Sequence, residues 1–269
     1  MSARRGPSQR SPELSQHFLR SPALAASLVA QAPVGPNDLV VEVGAGRGVL
    51  TAALARRCRE VRGVELDERL CRELQWRFRH QPHACIVQAD FLRYSLPDHA
   101  PYKVVGNIPY NRTAAIIERL AGATPPPEDV FIVVQREAAE RFAGAPFAPE
   151  SSVSLGLKPW WHVEIVRRLK RSDFDPIPRV DSVVLWMARR PRPLVASVDD
   201  RSYREFIEAS FGRTGNTIGR CLRATFSRNQ IRQLGRDLHF DVSAPPGWLS
   251  FDQWLGLFRF FVLARRGAG

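Results

Sequence analysis

Lysine and cysteine are scarce in this sequence, and long apolar runs are absent. Only three of its 39 basic residues are lysines. The four cysteines are scattered without any Cys-x-x-Cys spacing, which excludes a disulfide framework and fits free thiols in a reducing cytoplasm. No apolar run reaches membrane-spanning length, so we predict a cytoplasmic protein that does not associate with membranes.

A complete set of metal ligands is also missing. His80, His83 and Cys85 lie close together in the sequence, but no second cluster supplies the remaining ligands of a tetrahedral zinc site. The sequence therefore predicts no metal ion.

Arginine, in contrast, is abundant and unevenly placed. The chain has a net charge of +12, of which residues 1–150 carry +3 and residues 151–269 carry +9. A GC-rich genome explains arginine in place of lysine, but it does not explain the excess of basic over acidic residues. Because arginine matches phosphate geometry, the excess favours a polyanionic partner.

Strand and helix patterns alternate through the first half of the chain. Buried strands are indicated by DLVVEVG, VRGVEL, ACIVQAD, YKVVGN and DVFIVVQ, and amphipathic helical segments separate most of them. This alternation predicts a parallel sheet with helical crossovers, followed by an antiparallel edge between residues 160 and 187. From Asp199 onward the patterns predict helices only.

These patterns predict three segments of different character. Residues 1–13 are polar and basic and form a flexible arm. Residues 14–192 form the α/β domain, and residues 193–269 form a small all-helical domain.

A glycine-rich turn follows the first predicted strand of the sheet. Gly44, Gly46 and Gly48 lie between this strand and a helix, where free backbone N–H groups favour ligand binding. Val49 stands where the dinucleotide fingerprint needs its third glycine, and an acid, Glu42, precedes the turn by two residues. The spacing therefore departs from that of a typical NAD(P) or FAD site.

Acidic residues follow the next two strands. Glu65 ends the second strand, where a carboxylate can accept hydrogen bonds from both hydroxyl groups of a ribose. Asp67 is expected to cap the next helix. Asp90 follows the third strand and can accept from an adenine amine while Phe91 packs against the ring. One such acid alone is more typical of a cap or surface charge, but together they favour a bound adenosine group.

The segment Asn107-Ile108-Pro109-Tyr110 follows the fourth strand directly. Its proline stiffens a turn that presents an amide and an aromatic ring beside the expected cofactor crevice. The Asn107 oxygen and a backbone carbonyl can accept both hydrogens of an adenine amine, while Tyr110 stacks on the base. The alternative is an ordinary strand-to-helix loop.

A second stiff segment, FDPIPRVDS, follows further along the chain. Its alternating prolines predict an extended conformation from Phe174 to Val180. Phe174 looks exposed and is either a core residue or a second ring that sandwiches the base opposite Tyr110. We include Phe174 among the candidate catalytic residues.

Six motifs carry a family resemblance. In order and spacing, SQHFL, EVGAGRG, VELD, ADF, NIPY and FDPIPRVDS resemble the rRNA adenine dimethylases, the family of the KsgA and Erm enzymes, from about Ser15 to Phe261. The resemblance implies a Rossmann-like class I methyltransferase sheet, a small helical C-terminal domain at residues 193–269 that binds RNA, and S-adenosyl-L-methionine as cofactor. Many relatives have asparagine in place of His17.

The resemblance also assigns residues to the cofactor. Those along it or around its methionine part are Gln16, His17, Leu19, Gly44, Gly46 and Asn107. Glu65 would hold the ribose, and Asp90 with Phe91 would take the adenine. Asn107, Ile108, Pro109, Tyr110 and Phe174 would form the catalytic pocket for the target base.

The C-terminal segments FSRNQIRQL and SFDQWLGLFRFF resemble the Erm branch. This implies a monomer that methylates an adenine of 23S rRNA before the large subunit is fully assembled, with resistance to macrolides, lincosamides and streptogramin B. A KsgA-like 16S rRNA dimethylase and a non-catalytic RNA-binding assembly factor are the alternatives. The candidate RNA contacts are Arg112, Arg167, Arg168, Lys170, Arg171, Arg213, Arg220 and Arg223.

Overall fold

A computed structural model describes residues 17–211 and 216–266, which divide into two compact units. The first unit contains residues 17–135 and 168–183, and the second contains the remaining described residues. The arm at residues 1–13, Gln16 and Arg213 lie outside the described residues. The domain boundary expected near residue 192 stays a prediction.

The described residues contain nine strands and ten α-helices. The strands are β1 (Phe18–Leu19), β2 (Leu39–Val43), β3 (Glu60–Glu65), β4 (Ala84–Gln88), β5 (Lys103–Asn107), β6 (Asp129–Gln135), β7 (Trp161–Leu169), β8 (Phe174–Asp175) and β9 (Ser182–Arg189). The helices are α1 (Pro22–Gln31), α2 (Val49–Leu54), α3 (Glu68–Phe78), α4 (Thr113–Ala121), α5 (Arg136–Ala143), α6 (Ser152–Leu157), α7 (Asp200–Phe211), α8 (Ile218–Cys221), α9 (Arg228–Asp237) and α10 (Phe251–Arg266).

A parallel sheet forms the centre of the first unit. Its strands lie in the order β4-β3-β2-β5-β6, and every neighbouring pair is parallel. All five residues of β2 are buried, as expected for a central strand covered on both faces. Parallel pairing places the carboxyl ends of β2, β3, β4 and β5 at one edge, which is where sheets of this strand order bind ligands.

A small second sheet joins two strands from opposite ends of the first unit's sequence. Strands β1 and β8 pair antiparallel, with Phe18 opposite Asp175 and Leu19 opposite Phe174. The backbone N–H of Arg20 extends this pairing by donating to the carbonyl of Asp173 at 2.9 Å. The pairing closes a long loop of chain and holds residues 17–20 against the FDPIPRVDS segment.

The second unit has a separate aromatic core. Rings of α7 and α10 meet edge to face. The distance between ring centroids is 5.0 Å for Tyr203 and Phe258 and 6.3 Å for Phe206 and Trp254. A buried ion pair between Lys158 and Glu150 lies in the same unit. Most of β7 and β9, which are neighbouring strands, also belongs to this unit.

The strands and most helices expected from the sequence are confirmed. The chain also contains α5 and α6, which the sequence reasoning missed. The segment NTIGRCLRATF lies in the C-terminal stretch for which the sequence predicts helices, and it forms only the short α8 and a 3-10 turn at Leu222–Ala224. Over the described ranges, no helix is both long and apolar enough to cross a membrane.

Candidate active site

The glycine turn leaves β2 in a conformation that needs glycine. Gly44, Gly46 and Gly48 have φ angles of 72°, 55° and 72°, a region that side chains with a Cβ rarely adopt. A Cβ on Gly46 would also lie 2.9 Å from Cδ1 of Phe18, so β1 crosses the turn at close range. The turn then leads into α2, with Gly48 as its N-cap.

Glu65 is held at the end of β3 by two backbone amides. The N–H of Gly46 donates to its Oε2 at 2.7 Å, and the N–H of Asp67 donates to its Oε1 at 2.9 Å. The side chain is only 2% exposed. Each carboxylate oxygen retains a further lone pair, so both can still accept a hydroxyl group. The predicted cap is confirmed, since the Asp67 carboxylate accepts from Arg69 and Leu70.

Glu42 is a second buried carboxylate at this turn, and the sequence reasoning gave it no role. The hydroxyl of Thr51 donates to its Oε2 at 2.6 Å, whereas its buried Oε1 has no hydrogen-bond partner among the described residues. Burial, reinforced by the charge of Glu65, raises the pKa of Glu42 to about 8. Its position at the end of a buried strand, two residues before Gly44, is the signal that could have identified it.

The predicted adenine-binding residues lie at the end of β4. The Asp90 carboxylate accepts from the N–H of Leu92 at 3.0 Å, and Phe91 is buried. Leu66, which the sequence reasoning did not select, is 42% exposed and lines the same depression. Arg112 also lines it, with a terminal nitrogen 3.4 Å from Asp90. The RNA contact expected for Arg112 stays a prediction.

The Asn107 side chain is oriented by the N-terminal segment. Its Nδ2 donates to the backbone carbonyl of His17 at 2.6 Å. Because a carbonyl can only accept, this contact fixes the orientation of the amide and leaves Oδ1 as an acceptor. The backbone N–H of Ile108 donates to Val133 of β6 at 3.2 Å, so the turn is anchored directly on the sheet.

Tyr110 follows the turn and begins a 3-10 helix, Tyr110–Arg112. Its hydroxyl and that of Ser182 lie 2.5 Å apart, and the His17 ring stacks on its ring at a centroid distance of 5.5 Å. Burial raises the pKa of Tyr110, so the phenol stays neutral.

Phe174 differs from its sequence-based description. Its exposed appearance in the sequence is wrong and its burial matches the core alternative, since the side chain is fully buried and the backbone pairs with Leu19 across β1 and β8. The long-range pairing of these two short strands is the reason. A role for Phe174 as a second ring on the base stays a prediction, and it would require the ring to leave this buried position.

These residues surround two adjoining depressions that are open to solvent. The first, with about 560 Å³ of empty space, is bordered by residues 17–19, the glycine turn, Glu42 and residues 107–110. The second, of about 470 Å³, is bordered by Leu66 and residues 89–92. They share Gly44, Glu65 and Pro109. The structure therefore brings together the Asn107-to-Tyr110 turn and those predicted cofactor residues that lie within the described ranges.

The predicted RNA-contacting residues are mostly exposed. In the first unit, Arg168, Lys170 and Arg171 are exposed, and Nε of Arg171 donates to Asp181 at 2.9 Å. In the second unit, Arg220 and Arg223 are exposed and Arg167 is half-buried. Their contact with RNA stays a prediction. No three His, Cys, Asp or Glu side chains of the described ranges are grouped as a metal site.

Comparisons with known proteins point to one family. The family model for ribosomal RNA adenine dimethylases matches residues 8–261. An rRNA adenine N-6-methyltransferase of Aeromicrobium erythreum is 34% identical over 258 residues, which cover 95% of this chain and 74% of that protein. A ribosomal RNA small subunit methyltransferase A of Acaryochloris marina is 30% identical over 252 residues, which cover 90% of this chain and 93% of that protein.

Among solved structures, the crystal structure of the 23S rRNA methyltransferase ErmE aligns with a TM-score of 0.84 at 31% identity, over 91% of this chain and 99% of that chain. A dimethyladenosine transferase from Plasmodium falciparum aligns with a TM-score of 0.74 at 20% identity, over 92% of this chain and 98% of that chain. The predicted Rossmann-like methyltransferase fold is thereby confirmed.

Proposed function

This chain belongs to the ribosomal RNA adenine dimethylase family and is an rRNA adenine N6-methyltransferase, and we propose that its target is an adenine of 23S rRNA. One observation carries the chemistry. The carbonyl of His17 holds the Asn107 nitrogen, so the Asn107 oxygen is left as an acceptor in a depression that also contains Glu42 and Glu65.

The residues around the glycine turn fit S-adenosyl-L-methionine. Glycines at positive φ allow a ligand to approach the backbone closely, and Glu65 can accept from a ribose diol. The unpartnered, buried Oε1 of Glu42 suits a donor group such as an ammonium. Asp90 can accept from an adenine amine, beside Leu66. When bound, this cofactor supplies an activated methyl group.

The chain's own residues position the target amine. Its lone pair is delocalised into the purine ring, which makes it a weak nucleophile. Two acceptors, the Asn107 oxygen and a backbone carbonyl of the turn, bind its two hydrogens and favour a more tetrahedral nitrogen. Tyr110 supports the face of the base, as aromatic rings do for extruded bases. Catalysis then rests on positioning and electrostatics, and the proton leaves after the transfer.

Similarity to ErmE supports 23S rRNA over other targets. That enzyme acts on 23S rRNA by its own description, and it is 31% identical over nearly its whole length. Methylation of the macrolide-binding region would confer resistance to macrolides, lincosamides and streptogramin B. We further propose that the enzyme is a cytoplasmic monomer that acts on 23S rRNA before the large subunit is complete.

A KsgA-like activity on 16S rRNA is the second candidate. It is favoured by the small subunit methyltransferase A of Acaryochloris marina, which this chain matches over 93% of that protein's length. The two candidates share the cofactor and the reaction, and they differ only in the RNA that is recognised.

Methyl transfer with tritiated S-adenosylmethionine distinguishes the candidates. Naked 23S rRNA, naked 16S rRNA, 30S particles and 50S particles are incubated separately, and primer extension locates the modified adenine. We expect label in naked 23S rRNA at one adenine, with little label in 50S particles. Label confined to 16S rRNA or 30S particles would replace the proposal with the second candidate, and label in no RNA would leave only a binding protein.

A further inference from the structure

The segment from Phe174 to Ser182 contacts Tyr110 from two directions, although its phenylalanine is buried. One contact is direct, through the side chain of Ser182. The other is indirect, through the backbone carbonyl of Pro176 and the ring of His17. The segment therefore borders the pocket for the target base through residues other than Phe174.

Ser182 holds the outer end of the Tyr110 ring. It is the first residue of β9 and is only 2% exposed, and its hydroxyl lies 2.5 Å from the phenol oxygen. A hydrogen bond at this end of the ring restricts both its tilt and its swing. A buried hydroxyl needs a partner, so the bond also stabilises both groups.

His17 covers one face of the same ring. Its imidazole stacks on Tyr110 with an interplanar angle of 28°, and its Nδ1 lies 2.8 Å from the carbonyl of Pro176. Since that carbonyl can only accept, Nδ1 carries the proton and donates. The imidazole is thus tied to the Phe174–Ser182 segment and holds the ring from one side.

We propose that Ser182 and His17 are positioning residues that fix the Tyr110 ring, leaving its other face as the platform for the target base. The Phe174–Ser182 segment supplies the anchor for both of them. The inference rests on the proposed contact between Tyr110 and the base. A ring that is already fixed loses little conformational freedom when the base arrives, so turnover depends on the two anchors.

A double-mutant cycle tests the role of Ser182. Wild type, Ser182→Ala, Tyr110→Phe and the double variant are compared for kcat, for KM toward 23S rRNA, and for cofactor Kd by calorimetry. We expect each single variant to lower kcat by about three- to tenfold, as the loss of one hydrogen bond predicts, with cofactor Kd unchanged. The double variant should be no slower than either single one, because both remove the same bond.

Multiplicative losses of kcat in the double variant would overturn the inference, as would wild-type kcat in Ser182→Ala. Ser210→Ala is the matched control, since Ser210 is also 2% exposed and its hydroxyl donates to the carbonyl of Phe206 instead. It should show a comparable fall in melting temperature with unchanged kcat. If it lowers kcat as much as Ser182→Ala does, the effect is general destabilisation and the inference fails.

His17→Asn tests the second anchor, because it keeps the backbone carbonyl that orients Asn107. We expect kcat to fall by a few-fold and by more than cofactor affinity does, and a change confined to cofactor Kd would place His17 with the cofactor alone. Tyr110→Ala separates the inference from the proposed function. Wild-type kcat in Tyr110→Ala would refute the proposed contact between Tyr110 and the base. A large loss of kcat in Tyr110→Ala, together with wild-type kcat in Ser182→Ala and His17→Asn, would refute only the anchoring roles of Ser182 and His17.

Discussion

Two parts of this site are built from contacts of different range in the sequence. The cofactor end comprises the glycine turn with Glu42 and Glu65, and the base end comprises the turn from Asn107 to Tyr110. At the cofactor end, Glu65 accepts from Gly46, which is 19 residues away, and Glu42 accepts from Thr51, which is nine residues away. At the base end, Asn107 contacts a residue 90 positions away and Tyr110 contacts one 72 positions away. The contacts of Glu42 and Glu65 therefore lie within one βαβ unit, whereas those of Asn107 and Tyr110 join segments from across the first unit.

This difference implies that substitutions can separate cofactor binding from turnover. Cofactor affinity should depend on the buried carboxylates and on the backbone N–H groups around them. Turnover should depend on the Asn107 amide and the Tyr110 ring.

The largest expected effect is that of Asn107→Ala. Removing the acceptor for the target amine should lower kcat by about a hundred- to a thousandfold, as for other groups that act mainly in the transition state. Cofactor Kd should change by less than about fivefold, because Glu42 and Glu65 remain in place. Steady-state kinetics and calorimetry measure the two quantities. Asn37→Ala, an exposed site in the loop before β2, is the matched control, and equal losses of turnover and affinity would contradict this division of roles.

Glu42→Gln should change how stability depends on pH in the cofactor-free protein. Burial raises the pKa of Glu42 in the folded protein from about 4.5 to about 8, so between these pH values the native state keeps a proton that the unfolded state loses. The contribution of this group to the free energy of unfolding therefore falls as pH rises from about 4.5 to 8, by a total on the order of a few kcal/mol. Above pH 8 the contribution stays constant.

Urea unfolding of both proteins at pH 5.5, 7 and 8.5 measures this contribution. The difference between wild type and Glu42→Gln should shift in favour of the variant as pH rises. Glu73→Gln, at an exposed glutamate of α3, is the control and should give a pH-independent difference. A constant difference for Glu42→Gln would show that the carboxyl is ionised at neutral pH.

Glu65→Gln should weaken cofactor binding more than it slows the bound enzyme. Both carboxylate oxygens accept a backbone N–H, and glutamine would turn its NH2 group against one of those donors. Losing a charged acceptor predicts a cofactor Kd about ten- to a hundredfold higher, with kcat at saturating cofactor less affected. Glu68→Gln, at an exposed position of α3, should leave Kd unchanged. A normal Kd in Glu65→Gln would exclude the ribose contact.

The smallest expected effect concerns two exposed arginines, Arg168 and Arg171, that precede Phe174 in the sequence. Replacing Arg168 and Arg171 together by glutamine should lower affinity for 23S rRNA by several-fold and reduce the salt dependence of binding by about 0.7–0.9 per lost phosphate contact. Arg168 should contribute more than Arg171, which pairs with Asp181. Filter binding between 50 and 300 mM salt measures both quantities, with Arg69→Gln/Arg72→Gln on α3 as control. An unchanged slope would exclude phosphate contacts here.

Local patterns predicted much of the cofactor end. The glycine turn, the end of β3 at Glu65 and the Asp67 cap all depend on residues within a few positions of one another. Glu42 was given no role although its strand was predicted to be buried, because only the folded structure shows that one of its buried oxygens lacks a partner. It missed α5 and α6 because no apolar periodicity was assigned to those short segments.

The base end was predicted only in part. The stiff turn from Asn107 to Tyr110 was recognisable because proline acts on its immediate neighbours. The burial of Phe174 was not, since it depends on pairing between β1 and β8, which are separated by most of the first unit. Nor could the sequence indicate that Ser182 and His17 contact Tyr110.

By itself, the sequence determined the five strands of the parallel sheet and most of the helices, the glycine turn and the motifs of the family, because these depend on short-range backbone preferences and on residue types at fixed spacing. Only the tertiary structure decided which way the Asn107 amide faces, that Phe174 is buried and what holds Tyr110. Each of these depends on groups that lie far apart in the chain, and they meet only when the sheet places its strand ends at one edge and β1 pairs with β8.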